Sequence, residues 1–252
     1  MAPPEPPSLD APRPLPRLGT AGWTVPRAVA DQFPTDGSSL SRYAARFNAV
    51  EINSTFYRSH KAATYARWVA ATPPDFRFAV KLPRKITHEA RLENAAGLIA
   101  AFRAEALFLG EKLGPLLVQL PPSLAFDQIV AARFFGDLRA LWPEAIVCEP
   151  RHPSWLGAEA DAVLSDHRIG RVAADPARSP AAAIPGGWTG IAYWRLHGSP
   201  RMYFSAYDEA ALRELASAMR ATPTETWCVF DNTASGAAAA NALSLRTMID
   251  AA

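Results

Sequence analysis

Eight short apolar runs recur along the chain, and polar or glycine-rich residues follow nearly all of them. Buried parallel strands have this appearance because both of their faces are covered. The ends of successive runs lie 22 to 38 residues apart, the length of a crossover that contains a helix. The predicted strands are Leu18–Ala21, Ala49–Asn53, Phe76–Leu82, Leu116–Leu120, Ala145–Glu149, Arg171–Ala174, Ile191–Leu196 and Thr226–Phe230.

Helical patterns fill most of the gaps between these runs. The predicted helices are Ser39–Phe47, Ala63–Ala71, Asn94–Leu113, Asp127–Leu141, Ser154–His167, Asp208–Arg220 and Ser235–Ile249. Leu98 and Ile129 are expected on the apolar stripes of the third and fourth helices. The sixth gap, 175–187, contains three prolines and is predicted to be irregular. The pattern therefore predicts an α/β fold, a single (β/α)8 TIM barrel with an irregular sixth crossover.

The two ends of the chain differ in composition. Residues 1–17 contain seven prolines and no periodic apolar face, so we predict a disordered Pro-rich N-terminal tail there. The remaining segment, 18–252, has the length of one barrel domain and is not divided further.

Charge and composition narrow the function classes. The net charge is only +2 and basic residues form no dense block, so nucleic acid is an open but not favoured partner. No apolar run reaches 18 residues, so no membrane span is predicted. The N-terminus lacks the pattern of a signal peptide. Cys148 and Cys228 lie inside predicted strands and are expected to be reduced core thiols, which favours a cytoplasmic protein.

Four side chains near strand ends are candidates for proton transfer. Glu51 and Glu149 are the predicted acid/base residues, because barrel enzymes carry their working groups at the carboxyl ends of strands. His197 and His88 are predicted proton relays. The alternative for each glutamate is a buried ion pair that only closes the top of the barrel.

Other polar and aromatic side chains at the same rim are candidates for binding a ligand. Lys81, Arg151 and Arg195 would stabilise an anion, and the amides would orient it. The predicted ligand-binding residues are Asn53, Tyr57, Lys81, Gln119, Arg151, His152, Trp155, Arg195, Asp231 and Asn232. The alternative for Trp155 is packing beneath the next helix, which Ser154 is expected to cap.

The segment after the last strand, 231–236, leads directly into an Ala-rich helix. Free amides at a helix start attract anions, and barrels often bind phosphate at this place. Ser235 is the expected N-cap, and Arg201 belongs to the neighbouring loop.

Cofactor signals are few. The sequence has no dinucleotide fingerprint, P-loop or serine-hydrolase elbow, so no cofactor is predicted. A divalent metal is not excluded, since oxygen and nitrogen ligands are available on separate strands, although no compact ligand motif occurs. The residues that could contribute are Glu51, Glu149, His152, Asp175, His197 and Asp231.

Taken together, several short strings resemble the YecE-like family, known as domain of unknown function 72. The matching strings are Gly19–Trp23, Glu51–Tyr57, Lys81 with Arg84–His88, Gln119–Ser123, Glu149 with Arg151–Trp155, Arg195–Gly198, Asn232 and Asn241-Ala242. The resemblance implies a TIM-barrel fold but no particular activity. Two residues depart from the family pattern: Pro150 replaces a more usual aromatic or aliphatic residue, and Asp231 stands where many members have Asn.

The leading functional hypothesis is an enzyme of hydrolase or lyase type that acts on a small polar, anionic ligand at the barrel mouth. A first alternative is a nucleic-acid-binding or -processing barrel, with the basic loop Lys81–Arg91 and the rim aromatics as its groove. Further alternatives are a metal-dependent enzyme and a ligand-binding protein without turnover.

Overall fold

A computed structural model describes residues 15–251 of the chain. All eight predicted strands are present, with ends that shift by a few residues, and the sixth is divided in two. The strands are β1 (Arg17–Thr20), β2 (Ala49–Ile52), β3 (Arg77–Lys81), β4 (Leu113–Gln119), β5 (Ile146–Glu149), β6 (Ile169–Arg171), β7 (Ala173–Asp175), β8 (Gly186–Gly187), β9 (Ile191–Leu196) and β10 (Glu225–Phe230). Most of the predicted tail, 1–14, lies outside the described residues, and β1 begins inside the predicted tail, at Arg17.

The strands form two sheets. One has the order β1-β10-β9-β7 and the other β2-β3-β4-β5-β6-β8. The pairings are parallel apart from that of β6 with the short β8. Parallel strands with long crossovers confirm the mixed α/β class, whereas the hydrogen-bonded ladder is divided where the sequence predicted a single ring.

The sheets meet at two seams. At the first, residues 169–175 pass from one sheet into the other, so that β6 pairs with β5 and β7 pairs with β9. Val172 lies between β6 and β7, and its amide donates to the carbonyl of Cys148 at 2.8 Å. A single stretch of chain therefore contributes a strand to each sheet.

The second seam lies between β1 and β2. Ala21 forms one parallel bridge with Glu51, and the amide of Gly22 donates to the Glu51 carbonyl at 2.9 Å. The Tyr43 hydroxyl reinforces the contact, because it accepts from the amide of Thr20 in β1 at 2.8 Å and donates to a β2 carbonyl at 3.0 Å. The side chain of Asn48, directly before β2, accepts from the amide of Leu18 and donates to the carbonyl of Pro16, both at 2.9 Å. Side chains, more than a backbone ladder, thus join the sheets at this seam.

Helices follow most of the strands. They are α1 (Ser39–Ala44), α2 (Ala62–Ala70), α3 (Ala96–Ala106), α4 (Gln128–Leu141), α5 (Ala158–Asp166), α6 (Glu209–Ala221) and α7 (Ala237–Asp250). In the proline-rich gap after β7 the structure has only the 3-10 turn Pro180–Ala183, which confirms the irregular sixth crossover. None of the helices within 15–251 has the length and apolar character that crossing a bilayer requires.

The structure changes two predicted helix caps. Ser154 accepts a hydrogen bond from the loop before α4 at 2.7 Å, so it joins two loops and does not cap α5. At α7 the N-cap position is held by Gly236 with a φ of 80°, while Ser235, one position earlier, accepts the Ala237 amide at 3.4 Å. At α1 the cap is the side chain of Ser38.

Two predicted stripe residues face solvent. Leu98 is 41% exposed and Ile129 is 81% exposed. The helix bearing Leu98 also ends earlier than predicted, at Ala106, and continues as the 3-10 turn Leu107–Lys112. The buried face of α3 includes Ile99 and Phe102. The apolar stripe therefore begins at Ile99, one residue after the predicted Leu98.

The buried apolar side chains form two clusters. The larger one lies between helices and strands, and both cysteines, which are free thiols, belong to it. The second, called the inner cluster here, draws its members from both sheets. It consists of Ala49, Ala79, Leu117, Val147, Val172, Ile191, Tyr193, Trp227 and Val229. Because these residues come from successive strands and pack together, they define an interior face of the strands.

Candidate active site at the carboxyl ends of the strands

Six strands carry a polar side chain two residues after a member of the inner cluster. Side chains two apart on a strand point the same way, so these polar groups continue the interior face toward the carboxyl ends. The pairs are Ala49 and Glu51, Ala79 and Lys81, Leu117 and Gln119, Val147 and Glu149, Tyr193 and Arg195, and Val229 and Asp231. Together with Arg151 and His197, the six polar residues are called the polar layer below.

Arg195 is the centre of the polar layer. Its Nη2 and Nε donate to the two oxygens of Glu51 at 2.8 and 3.0 Å. Nη1 lies 3.2 Å from Glu149 Oε2, and Nη2 lies 3.0 Å from Asp231 Oδ2. Burial alone would lower the pKa of Arg195, but the three carboxylates, Asp231 foremost, raise it well above its ordinary value. The guanidinium therefore stays charged and holds three acidic side chains.

Glu149 is fully buried and accepts hydrogen bonds on both oxygens. Oε1 lies 2.8 Å from His197 Nε2 and 2.8 Å from Arg151 Nη2, while Oε2 accepts from Gln119 Nε2 at 3.0 Å. Burial raises the pKa of Glu149, but the surrounding cations, led by Arg195, bring it well below the ordinary 4.5. Glu149 is thus a carboxylate at neutral pH, which does not suit a general acid.

Glu51 is also fully buried, and sequence reasoning missed one of its partners. Besides its bidentate pair with Arg195, it accepts a hydrogen bond from the Tyr193 hydroxyl at 3.1 Å. Burial, followed by the charge of Glu51, raises the pKa of Tyr193 well above 10. Tyr193 precedes Arg195 by two residues, so the alternation of side chains along β9 could have indicated it.

His197 lies between two carboxylates. Its Nε2 is 2.8 Å from Glu149 Oε1 and its Nδ1 is 3.0 Å from Asp231 Oδ2. Nε2 also lies 3.0 Å from the donor Nη2 of Arg151, so it can either donate to Glu149 or accept from Arg151, depending on the tautomer. The ring edge of Tyr203 packs against His197 with centroids 5.7 Å apart.

Lys81 differs from the other cations of the polar layer. It is only 4% exposed, yet within residues 15–251 its ammonium makes no hydrogen bond and no ion pair within 4.0 Å. Nζ lies over the Phe56 ring, 4.2 Å from the centroid. Burial and, next, the charge of Arg195 lower the pKa of Lys81 to about 8, although three carboxylates oppose the shift. Its ammonium is therefore the uncommitted charge of the site.

Three buried polar atoms beside these residues also lack partners in the described part of the chain. They are Asn53 Oδ1, Arg151 Nε and Asn232 Oδ1. Each belongs to a residue that follows a strand at the same end as the polar layer. Buried polar atoms are normally satisfied, so an unpaired donor and two unpaired acceptors here suit a bound polar group.

The remaining predicted site residues lie at the rim or outside it. Tyr57 is 67% exposed, and the His88 ring packs edge-on against Phe56 at 5.0 Å. His152 accepts the amide of Ser154 and so begins a short 3-10 turn. Trp155 is 1% exposed and donates to a backbone carbonyl. It belongs to the larger apolar cluster between helices and strands, called the outer apolar cluster below, and not to the polar groups.

Two further predicted residues have mainly structural partners. Asp175 accepts a hydrogen bond from the Tyr207 hydroxyl at 2.7 Å, which joins the end of β7 to the loop before α6. The amide nitrogen of Asn232 donates to Ser205 O and to Asn241 Oδ1, both at 2.9 Å. Within 15–251, no three His, Cys, Asp or Glu side chains are grouped to hold a metal ion, and the metal-dependent alternative stays a prediction.

Known proteins share both sequence and fold with this chain. It is 32% identical over 120 residues to the UPF0759 protein YecE of Escherichia coli K12, covering 48% of this chain and 43% of that protein. It is 26% identical over 111 residues to the UPF0759 protein YunF of Bacillus subtilis 168, covering 42% and 39%. The chain thus spans less than half the length of these relatives.

Solved structures match over nearly the whole chain. A DUF72 family protein from Thermotoga maritima superposes with a TM-score of 0.76 at 26% identity, covering 93% of this chain and 98% of that one. One from Enterococcus faecalis gives 0.78 at 22% identity over 94% and 96%. An AP endonuclease, family 2, from Brucella melitensis shares the fold alone, at 0.53 and 12% identity over 85% and 92%.

These matches agree with a family model that spans residues 17–252 and is described as "Protein of unknown function DUF72". The resemblance found from the short sequence strings is confirmed, and the chain belongs to the DUF72 family.

Proposed function

We propose that the polar layer binds a small polar, anionic ligand and carries out acid–base chemistry of hydrolase or lyase type on it. The proposal rests on one observation, which is that one buried cation of the polar layer has no direct partner among residues 15–251. Arg195 and Arg151 pair with the three carboxylates, which are Glu51, Glu149 and Asp231. The ammonium of Lys81 lies over the Phe56 ring and makes no ion pair within 4.0 Å, which leaves its charge available to attract an anion.

We also infer that the two sheets enclose the inner cluster as a (β/α)8 barrel. Parallel strands alternate with helical crossovers, members of the inner cluster come from both sheets, and the sheets meet at two seams. In such a barrel the carboxyl ends of the strands hold the reacting groups, which is where the polar layer lies.

The unpaired atoms describe the ligand that would fit. Arg151 Nε and Lys81 Nζ offer donors, and the side-chain oxygens of Asn53 and Asn232 offer acceptors. A molecule with both an anionic group and a hydroxyl or amine hydrogen satisfies all of them. A cavity of about 20 Å³, enough for about one water molecule, lies beside Arg151, His197 and Met202.

The hydrogen bonds favour different roles for the residues expected from sequence to transfer protons. Glu51 and Glu149 have their oxygens occupied and no exposed surface, so we assign them to positioning Arg195 and His197. His197 lies within hydrogen-bond distance of two carboxylates, and burial and the charge of Arg195 lower the pKa of Lys81 to about 8. These two are the groups we expect to exchange protons with a ligand.

Binding of inorganic phosphate and of small carboxylates, measured by calorimetry, tests this function. Arg151→Met should weaken binding by roughly 10-fold or more, because it removes a guanidinium and its unpaired Nε. Arg103→Met is the matched control, since Arg103 pairs with Glu144 at 2.7 Å away from the polar layer. Equal binding by both variants and the unsubstituted chain, or no binding by any of them, would overturn the proposal.

Nucleic-acid binding is a second candidate, favoured by exposed aromatic rings near the polar layer. Tyr57, Tyr203 and Phe204 are 67%, 40% and 42% exposed, and single-stranded bases stack on such rings. Titration with single-stranded oligonucleotides at two salt concentrations decides it, because binding must weaken as salt rises. Elemental analysis of unchelated protein tests the metal-dependent alternative, and a product screen on a bound ligand separates an enzyme from a binding protein.

A further inference from the structure

The chain contains four lysines, and the two less exposed ones, Lys81 and Lys112, differ in their hydrogen bonding. The ammonium of Lys112 donates three hydrogen bonds, to Val69 O, Thr72 O and Thr72 Oγ1, at 2.7, 2.6 and 3.0 Å. That set uses all three of its protons. Lys81 is more deeply buried, but within residues 15–251 it has no hydrogen-bond acceptor and no ion pair.

Opposing influences act on the charge of Lys81. The face of Phe56, 4.2 Å from Nζ, and three carboxylates favour the ammonium, but none of them accepts a hydrogen bond from it. Burial first, and then the nearby cation Arg195, disfavour the charged form and bring its pKa to about 8. Desolvation and a neighbouring cation are the two means by which proteins make a lysine nucleophilic near neutral pH.

We propose that Lys81 is a nucleophile that forms an imine with a small aldehyde or ketone bearing an anionic group. The inference rests on the proposed function, because the anionic group would occupy the donors offered by Arg151. It also narrows that function from hydrolase or lyase chemistry to a lyase that works through a covalent intermediate.

The step is balanced without an oxidant or a metal. The neutral Nζ attacks the carbonyl carbon, the C–N bond forms, and the carbonyl oxygen takes up a proton to give a carbinolamine. The oxygen then leaves as water, whose two hydrogens both come from the amine, and the C=N bond forms. The imine nitrogen then takes up one proton from solvent. The protonated imine draws electrons from an adjacent C–C or C–H bond, which is what a lyase requires of its covalent intermediate.

Reductive trapping tests the inference with glyoxylate, which combines an aldehyde and a carboxylate. The full chain is incubated with glyoxylate, reduced with borohydride, digested and mapped by mass spectrometry. We expect modification of Lys81 about 10- to 100-fold above that of the exposed Lys61 and Lys85 at pH 7, because far more of its amine is neutral. The yield at Lys81 should rise as the pH passes through about 8.

Two variants provide the controls. Lys85→Arg should leave the modification of Lys81 unchanged, and Lys81→Arg should abolish the selective adduct while keeping a positive charge. If Lys81→Arg does not fold, the test is the ratio of modification at Lys81 to that at Lys61 and Lys85 in the unsubstituted chain.

The outcomes separate the two proposals. Modification of Lys61 and Lys85 at or above the level of Lys81 overturns the imine. If the same preparation binds phosphate, the proposed anion site stands without the imine; if it binds neither phosphate nor glyoxylate, both proposals fail.

Discussion

The inner cluster and the polar layer occupy the same strands two residues apart, yet they contribute to the molecule in opposite ways. In β5, Val147 is fully buried among apolar side chains, while Glu149 is fully buried among cations. Burying a methyl-bearing side chain is favourable, whereas burying a charge is costly unless partners compensate it. The inner cluster therefore stabilises the fold through apolar burial, whereas the polar layer depends on its ion pairs to offset the cost of burying charge.

This contrast also distinguishes Lys81 from the rest of the polar layer. In the polar layer, the carboxylates are satisfied by Arg195, Arg151 and His197, so their burial is compensated. Lys81 has no such compensation, and its depressed pKa records the cost. A destabilised charge beside satisfied ones is typical of a functional site.

Substitution of the central guanidinium should have the largest effect. Arg195→Met leaves three buried carboxylates without their shared partner, so we expect the free energy of unfolding to fall by about 3–5 kcal/mol. Chemical denaturation measures it. Arg213→Met, which removes an exposed ion pair with Glu209 on α6, should change stability by less than about 1 kcal/mol. A similar loss in both variants would contradict the central role of Arg195.

A cavity in the inner cluster should have an intermediate and purely structural effect. Val147→Ala removes two methyl groups from a fully buried site and should cost about 2 kcal/mol of stability. Phosphate binding, normalised to folded protein, should be unchanged because Val147 lies below the polar layer. A loss of affinity larger than the loss of folded protein would show that the two levels are not separable.

The smallest effect should come from Asp231→Asn, which keeps an acceptor for His197 but removes one charge. Burial raises the pKa of Asp231, but Arg195 and His197 hold it below the ordinary 3.8. The stabilisation is therefore present above about pH 4 and is lost as the pH falls through the folded pKa. We expect the variant to be roughly 1 kcal/mol less stable at pH 7, with the difference vanishing toward pH 2. Unfolding curves at pH 7, 4 and 2 check this, and a constant difference would refute it.

The sequence predicted the strands and the location of the polar layer because both depend on local rules. Short apolar runs with polar endings indicate buried parallel strands, and alternation along each strand fixes which side chains share a face. Glu51, Lys81, Glu149 and Arg195 were accordingly selected together. Helix stripes were less accurate, as exposed Ile129 shows, because tertiary packing decides which face is buried.

The pairing within the site could not be read from the sequence. Glu51 and Arg195 are 144 residues apart, and no local pattern distinguishes their bidentate pair from the unpaired Lys81. Trp155 illustrates the same limit: its position next to the predicted site suggested the rim, while its packing assigns it to the outer apolar cluster. Which cation is left without a partner depends on long-range geometry.

The seam between β1 and β2 has a mechanical consequence that centres on Glu51. Its backbone carbonyl accepts the hydrogen bond from the Gly22 amide that links the two sheets, and its carboxylate pairs with the Arg195 guanidinium. Glu51 thus joins the two sheets through its backbone and holds Arg195 through its side chain. A change in the separation of β1 and β2 would move Glu51 and, through it, Arg195 directly. Under the proposed function, ligand affinity should therefore change with that separation.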